Sequence, residues 1–520
     1  MIIEIAIAVL IFTVLFFYLG LDKVIFSGPL GIHFMRQTDS LSFAGIYFRE
    51  GFEFFKPGLY NLKNIDGHAA CEFPVLYYIT SLVYLVTGQN FIVLKILNYL
   101  VTITGVICIY KLSVLLLNDR LLSALIALVL FTSTVFNYYS LNYLPDSGAF
   151  GLIMIGWYFF FRYYLKNKQN NLYTAFVFFT LGSLIKVTYL VNPLAVLVLY
   201  LLIPLLKKEG YRKSLNYPII LSGVFSVMVV AAWNIYMISY NNAYESTSFN
   251  TTAMPIWNIS RKEITIVWDH FTNYWYSSYF ARPVFHLLFV IVAFQVLLFK
   301  RSDRLLSILT LILFAGNLAF FILFYSQFKD HDYYFITFFP LIILLCINAF
   351  KTLKNLKPTR PVDIIIKSLV FIIIAWGINY SGKKLRSRYD SAMDDYSRTG
   401  LVIQANKPGL DSLGIQVNAK VIVAPDLTQN GGLLMLNRMG WNIERPEQIS
   451  IERIESLVEE GAEYLVLVTE DSLVLEKGYQ TGQLVYTDKG ISIFDLEQGA
   501  GGREQGAGNE EYRLAIQDMK

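Results

Sequence analysis

Runs of apolar residues long enough to cross a lipid bilayer limit the fold of this chain more than any other feature. A spanning helix needs about twenty such residues, or slightly fewer. Runs of that order fall at 2–21, 91–110, 121–136, 147–162, 172–188, 190–206, 217–238, 283–299, 304–325, 334–350 and 363–380. In lipid the backbone must satisfy its own hydrogen bonds, so each run has to be a helix. The expected fold class is mainly α: a polytopic membrane protein of about eleven transmembrane helices. Only 16% of the residues are charged, against about a quarter in soluble domains, too few for an ordinary soluble surface. The net charge of +4 is small, and the basic residues cluster at the ends of apolar runs. That pattern sets topology and does not suggest nucleic acid as a partner. Cys108 and Cys346 fall inside apolar runs, which leaves Cys71 without a partner, so no disulfide framework or thiolate metal site is expected. Met1 to Gly20 lacks a basic start and a small-residue cleavage site and reads as an uncleaved first span.

The run 75–87 is short and rich in Tyr and Thr. It is expected to lie flat as an interfacial helix on the outer surface. The inner connections 111–120, 162–171, 207–216, 300–304 and 351–362 then hold 16 Lys and Arg in 47 residues. The outer ones (22–90, 137–146, 239–282 and 326–333) hold 9 in 131, the positive-inside asymmetry. Were 75–87 to cross, every later loop would change sides and the asymmetry would reverse. The same count places Asp39, Glu72, Asp146, Asp269, Asp330 and Asp332 together on the outer face of the cell membrane. An odd number of spans puts the C-terminal part there too. Lys383, Lys384, Arg386 and Arg388 then leave the last span against the usual bias, which long translocated domains tolerate.

Three regions follow: a membrane part over 1–380 with a first outer loop at 22–90, a small α/β domain over 381–498, and a tail over 499–520. In the second, 421–425 and 464–468 read as buried strands and 451–461 as an amphipathic helix. Val485-Tyr486 and Ile491 to Phe494 read as a hairpin around Asp488-Lys489-Gly490. The last stretch repeats Glu497-Gln498-Gly499-Ala500-Gly501 as Glu504-Gln505-Gly506-Ala507-Gly508, a low-complexity pattern expected to be disordered.

Roughly seventy residues separate the first span from the next, and connections that long are usually functional. Within them lie Arg36-Gln37-Thr38-Asp39-Ser40 and Cys71-Glu72-Phe73-Pro74. Asp39 can take a proton from an acceptor hydroxyl, or it caps a helix that begins at Ser40. Asp146, at the mouth of a span, is a second acid, or complements that helix's dipole. Glu72 can hold a divalent cation or position an acceptor, or is a solvated charge at a helix start. Lys186 is costly at its depth unless paired, so it either meets a lipid-borne phosphate or snorkels. In Lys329-Asp330-His331-Asp332-Tyr333-Tyr334, His331 with either Asp binds metal or phosphate, or the segment is a hydrated turn. There is no Walker loop, GxGxxG or HExxH.

Arg36-Gln37-Thr38-Asp39, Phe48-Arg49-Glu50-Gly51, Glu72-Phe73-Pro74 before a Tyr-rich helix, Leu144-Pro145-Asp146 and His331-Asp332-Tyr333-Tyr334 together resemble the GT-C glycosyltransferases. The branch they look most like is glycosyltransferase family 39, the bacterial relatives of protein O-mannosyltransferases and lipid A aminoarabinose transferases. The resemblance covers about residues 1–350. It implies transfer of a sugar from a polyprenyl-phosphate donor to a lipid, glycan or protein acceptor at the outer face of the cytoplasmic membrane, with no nucleotide cofactor, since a lipid-phosphate sugar carries its own leaving group. It implies Asp39 and Asp146 as catalytic acids, Glu72 as the metal candidate, and Arg36, His331, Asp332 and Tyr333 as substrate-binding. Some relatives carry a Lys between the Glu and the Pro, where this chain has Phe73. Contact with the donor phosphate then falls to Lys186 or Arg282. The rival readings are a transporter or flippase, which should show internal repeats and polar groups at mid-bilayer, and a membrane-anchored binding protein whose C-terminal domain does the work. Within that domain, Asp426 to Gly432 reads as an ordinary strand-to-helix connection.

Overall fold

The computed structural model describes residues 2–206, 216–249, 253–390 and 394–497; the expected disordered tail, 499–520, lies outside them. The apolar runs are helical. The chain begins with α1 (Ile2–Tyr18), enters the first loop through α2 (Phe34–Arg49) and α3 (Val75–Thr87), and continues with α4 (Ile92–Leu117), α5 (Arg120–Leu128), α6 (Thr134–Ser140), α7 (Asp146–Lys166), α8 (Gln169–Ile185) and α9 (Val191–Leu206). After these come α10 (Tyr217–Ala243), α11 (Arg261–Asp269), α12 (Tyr276–Tyr279), α13 (Arg282–Leu297), α14 (Arg304–Leu323), α15 (Phe339–Asn355) and α16 (Arg360–Asp390). Among the described residues, five helical stretches are long and apolar enough to cross a membrane, or up to seven if each of two bent pairs is one span. The chain is an integral membrane protein.

Of two bent pairs, one corrects the reading of a single straight span. The run 121–136 breaks at Ser133, and α6 leaves at 84° to the preceding helix. Ser133 is extended, and its hydroxyl accepts the Phe136 N–H at 3.3 Å, so it starts a new helix. The helical stretch Arg261–Tyr279 meets α13 at 96°. Here Phe280 and Ala281 are extended, and Pro283 in the first turn of α13 fits a helix start, not its interior. Helix α3 is a short separate helix with Leu85 and Val86 exposed at its end, as an interfacial helix would be.

Helices α4 and α7 cross backbone to backbone. A Cβ on Gly105 would lie 2.4 Å from Gly151 Cα, and one on Gly151 would lie 2.4 Å from the Val101 carbonyl oxygen. Small residues permit this approach, and packing drives it in lipid. Near this crossing Asn98 of α4 grips the start of α7. Its amide donates to the carbonyls of Tyr139, Asn142 and Leu144 and accepts the Gly148 N–H. That grip fixes where Asp146 emerges.

Helix α16 runs past residue 380 without a break, so the expected boundary there falls inside a helix. Beyond it are α17 (Arg398–Ala405), α18 (Lys407–Ser412), β1 (Val421–Ala424), α19 (Gly431–Leu436), β2 (Gly440–Asn442), α20 (Ile451–Glu459), β3 (Tyr464–Leu467), α21 (Ser472–Thr481), β4 (Gln483–Asp488) and β5 (Ile491–Asp495). The sheet order is β2-β1-β3-β5-β4. Strand β1 is parallel to β2 and β3, and β5 is antiparallel to β3 and β4. The first loop docks on the β2 edge. Gly440 N donates to the Tyr60 carbonyl at 3.0 Å, and Leu62 N donates to the Gly440 carbonyl at 2.7 Å. Edge backbone groups that would otherwise need solvent are paired in this way.

Candidate active site

Helix α2 starts at Phe34, after His33 in the left-handed region at φ 59°. Asp39 therefore lies inside the helix, and the reading of it as a cap at Ser40 is corrected. Nearly all of α2 is buried, including Gln37, Thr38, Asp39, Ser40 and Ser42. Buried polar groups require partners, and here the partners form one network. Arg36 is its centre. Its Nη2 donates to both Glu72 oxygens at 3.2 Å, and its Nη1 to Asp39 Oδ2 at 3.4 Å. The guanidinium sits 5.1 Å from the Phe249 ring centroid. Glu72 also accepts from the Tyr77 hydroxyl and, at 2.6 Å, from the Cys71 thiol. Burial would push the Glu72 carboxyl up. Arg36 outweighs that, with help from Cys71, Tyr77 and Lys186, and pulls it down to about 2. At Asp39 burial wins and its pKa is raised, with Arg36, Asn430 and Gln429 opposing.

The far side of Asp39 is met by the C-terminal region. Asn430 Nδ2 donates to Asp39 Oδ1 at 2.7 Å and Gln429 Nε2 at 3.2 Å. The Asp426–Gly432 loop is thus not an ordinary connection.

A second ion pair stands beside the first group. Asp146 opens α7, and Lys186 ends α8, where the chain turns extended. Lys186 Nζ lies 2.9 Å from Asp146 Oδ1 with its side chain 19% exposed, so it is paired and does not snorkel. It also lies 4.9 Å and 5.0 Å from the ring centroids of Tyr333 and Tyr334. The charge of Lys186 reaches Glu72, and those of Arg36, Asp146 and Glu72 reach Tyr333. Arg36, Asp39, Glu72, Asp146, Lys186 and Tyr333 therefore form one electrostatic unit.

Asp332 is fully buried. It accepts from Arg388 Nη2 at 2.6 Å and from the Tyr139 hydroxyl at 2.7 Å, and it lies 3.3 Å from His33 Nε2. Both of its oxygens are engaged within the protein. The His331 ring packs on those of His33, Tyr333 and Tyr334. Burial, with His33, Lys186 and Arg36, lowers its pKa to about 3 and keeps it neutral. These contacts replace the hydrated turn that the sequence left open. Arg282 is exposed, and among the described residues it makes no hydrogen bond or ion pair with any of these groups. The donor set at Glu72 does not fit a divalent cation: both oxygens face a guanidinium, and among the described residues no three His, Cys, Asp or Glu converge. A cleft of about 340 Å³ opens where the first loop meets the sheet, lined by residues including Asn61, Trp441, Asn442 and Arg453. Asp39, Glu72 and Asp146 lie outside its lining.

Sequence reasoning missed Gln429, Asn430, Tyr77 and Arg388. Only the polar run Thr428-Gln429-Asn430 before Gly431-Gly432 hinted at the first two.

Residues 68–236 match the model of the dolichyl-phosphate-mannose-protein mannosyltransferase family. A search of curated proteins gives no significant match. Among solved structures, the fold is similar to ArnT from Cupriavidus metallidurans in the apo state, with TM-score 0.62 and 12% identity over 94% of this chain and 97% of that one. ArnT from the same organism bound to undecaprenyl phosphate gives TM-score 0.60 at 12% identity over 95% and 97%. The apo Archaeoglobus fulgidus oligosaccharyltransferase gives TM-score 0.49 at 12% identity over 93% and 74%.

Proposed function

We propose that this chain is a membrane glycosyltransferase of the GT-C type that transfers a sugar from a polyprenyl-phosphate donor to a lipid, glycan or protein acceptor; the family match over residues 68–236 and the ArnT-like fold support this reading. The observation that carries it is the Arg36 bridge between Asp39 and Glu72, set beside the Lys186–Asp146 pair. A base and two cations meet there in a chain that crosses lipid. A similar fold crystallised with undecaprenyl phosphate supports the donor class. The sequence asymmetry in Lys and Arg supports eleven spans, with this site and the C-terminal α/β region on the outer side of the cytoplasmic membrane. A transporter is disfavoured because the acids stand at helix starts, in loops or on the loop helix α2, not at mid-span.

A lipid-phosphate sugar carries its own leaving group. Asp39 takes the acceptor hydroxyl proton as the acceptor oxygen attacks the anomeric carbon. The bond from that carbon to the phosphate oxygen breaks, and its electrons leave with the polyprenyl phosphate. Arg36 and Lys186 meet the growing phosphate charge. Asp146 holds Lys186 at that position. Tyr333 packs against Lys186, and His331 remains a neutral neighbour that can donate or accept. One direct displacement inverts the anomeric centre, and a product of retained configuration would exclude it.

Purified protein given a labelled polyprenyl-phosphate sugar and a membrane extract should yield labelled product, and Asp39→Asn and Asp146→Asn should abolish it. Undiminished transfer by both variants would remove these assignments.

A further inference from the structure

We infer that Asn430, in the C-terminal α/β region, is a positioning residue for Asp39, so that the catalytic site is completed by a segment nearly four hundred residues away. This deepens the proposed function and rests on Asp39 as the base.

The Asn430 side chain has only one workable orientation. Its Oδ1 accepts the Asn61 backbone N–H at 3.2 Å and the Ser42 hydroxyl at 3.4 Å. The amide nitrogen must therefore point the other way, onto Asp39 at 2.7 Å. Gln429 is fixed by the same logic: its Oε1 accepts the Ser248 hydroxyl at 2.9 Å, and its Nε2 faces Asp39. The loop that carries both residues is itself held. Asp426 accepts the N–H groups of Thr428 and Gly432, and the Thr428 hydroxyl accepts the Gly431 N–H. At Gly431 a Cβ would fall 2.3 Å from Thr428 Oγ1, so the turn closes only on glycine. Asn430 is fully buried, and so are Asp39 and Ser42 to within 1%.

Two neutral amides on one carboxylate fix its direction without supplying a positive charge. The ionisable groups facing this part of the site are Arg36 on α2, Cys71 and Glu72 in the turn before α3, Tyr77 on α3, Tyr333, and Asp426 within the loop. Arg36 is the one cation in contact with Asp39 among the described residues, at 3.4 Å, and it is shared with Glu72. Asp39 therefore stays basic yet immobile, as a proton acceptor must be to meet one hydroxyl.

The test uses the full chain, labelled polyprenyl-phosphate sugar and membrane extract, with rates measured against pH. Asn430→Ala should lower kcat roughly ten- to a hundredfold, the size expected for one hydrogen bond to a charged group. The acid limb of the pH profile should move to higher pH, because a donor to the ionised form is lost. Donor KM should stay within about twofold. Asn430→Asp keeps the shape and places a second carboxylate against Asp39, so it should move the limb further the same way. Asn442→Ala is the control for simple docking. Asn442 accepts from Asn61 at 2.7 Å across the same junction, but it does not touch Asp39, so its pH profile should match the parent's. The inference is overturned if both Asn430 variants keep the parental kcat and pH profile, or if Asn442→Ala reproduces their shift. Asp39→Asn separates the two levels: if it remains active, the proposed base is wrong; if it is dead while the Asn430 variants are normal, only this inference fails.

Discussion

Replacing Arg388 by Met would expose how much the molecule depends on its deepest ion pair. Arg388 Nη2 lies 2.6 Å from Asp332 Oδ2, and the two side chains are 8% and 0% exposed. Removing one partner of such a pair costs about 3–5 kcal/mol, because the other charge stays buried without compensation. The Tyr139 hydroxyl and His33 remain against Asp332, which favours the lower end, about 3 kcal/mol. At about 2 cal/mol/K of unfolding entropy per residue, a cooperative unit of this 520-residue chain would melt roughly 3 °C lower. Adding Asp332→Asn removes the stranded charge and should restore part of the loss, so the two substitutions should not be additive. The assay is thermal unfolding of the purified protein in one detergent, for both single variants, the double variant and the parent. An unchanged melting temperature for Arg388→Met, or a double variant whose loss is the sum of the single losses, would refute the reasoning. Donor affinity measured on Asp332→Asn settles its role: a structural acid changes stability more than binding.

Glu72 has a folded pKa of about 2, below its ordinary 4.5, so the stability it contributes is complete above pH 4.5 and lost as pH falls toward 2. That window is worth about 3 kcal/mol, and Glu72→Gln should flatten the melting curve between pH 5 and 3; an unaltered slope would show that Arg36 does not hold the carboxylate as described. Gly151→Ala places a methyl group 2.4 Å from the Val101 carbonyl oxygen and should destabilise the α4–α7 crossing by about 1–3 kcal/mol, read as a lower melting temperature; unchanged melting would mean that the helices yield. Lys186→Met should raise donor KM about tenfold or more, with Lys186→Arg recovering part of the loss; an unchanged KM would take Lys186 off the phosphate.

What could be read in advance followed local pattern. The continuous apolar run at Val421–Ala424, the hairpin around Asp488-Lys489-Gly490 and the amphipathic Ile451–Glu459 each announce themselves within ten residues. Strand β2 has three residues and begins on Gly440, so no periodicity can develop. The break at Ser133 was written in Thr132-Ser133-Thr134, but the hydrophobicity on either side concealed it. Asp146 and Lys186 were each placed near the outer mouth of a span by charge counting, and pairing follows because a lysine at that depth needs an acid. The contact of Asn430 with Asp39 had no such route. It depends on the first loop adding to the β2 edge at Gly440, a tertiary event that composition does not encode. Likewise Arg388 reads in sequence only as one of four basic residues that leave the last span against the usual bias, and nothing local announces that it meets Asp332.

The most direct test of the account is the single-turnover rate of sugar transfer from saturating labelled polyprenyl-phosphate sugar, compared between the parent and Asp39→Asn. Loss of the base should slow transfer by about two to four orders of magnitude while donor binding is retained. A rate within twofold of the parent's would contradict the account at its centre.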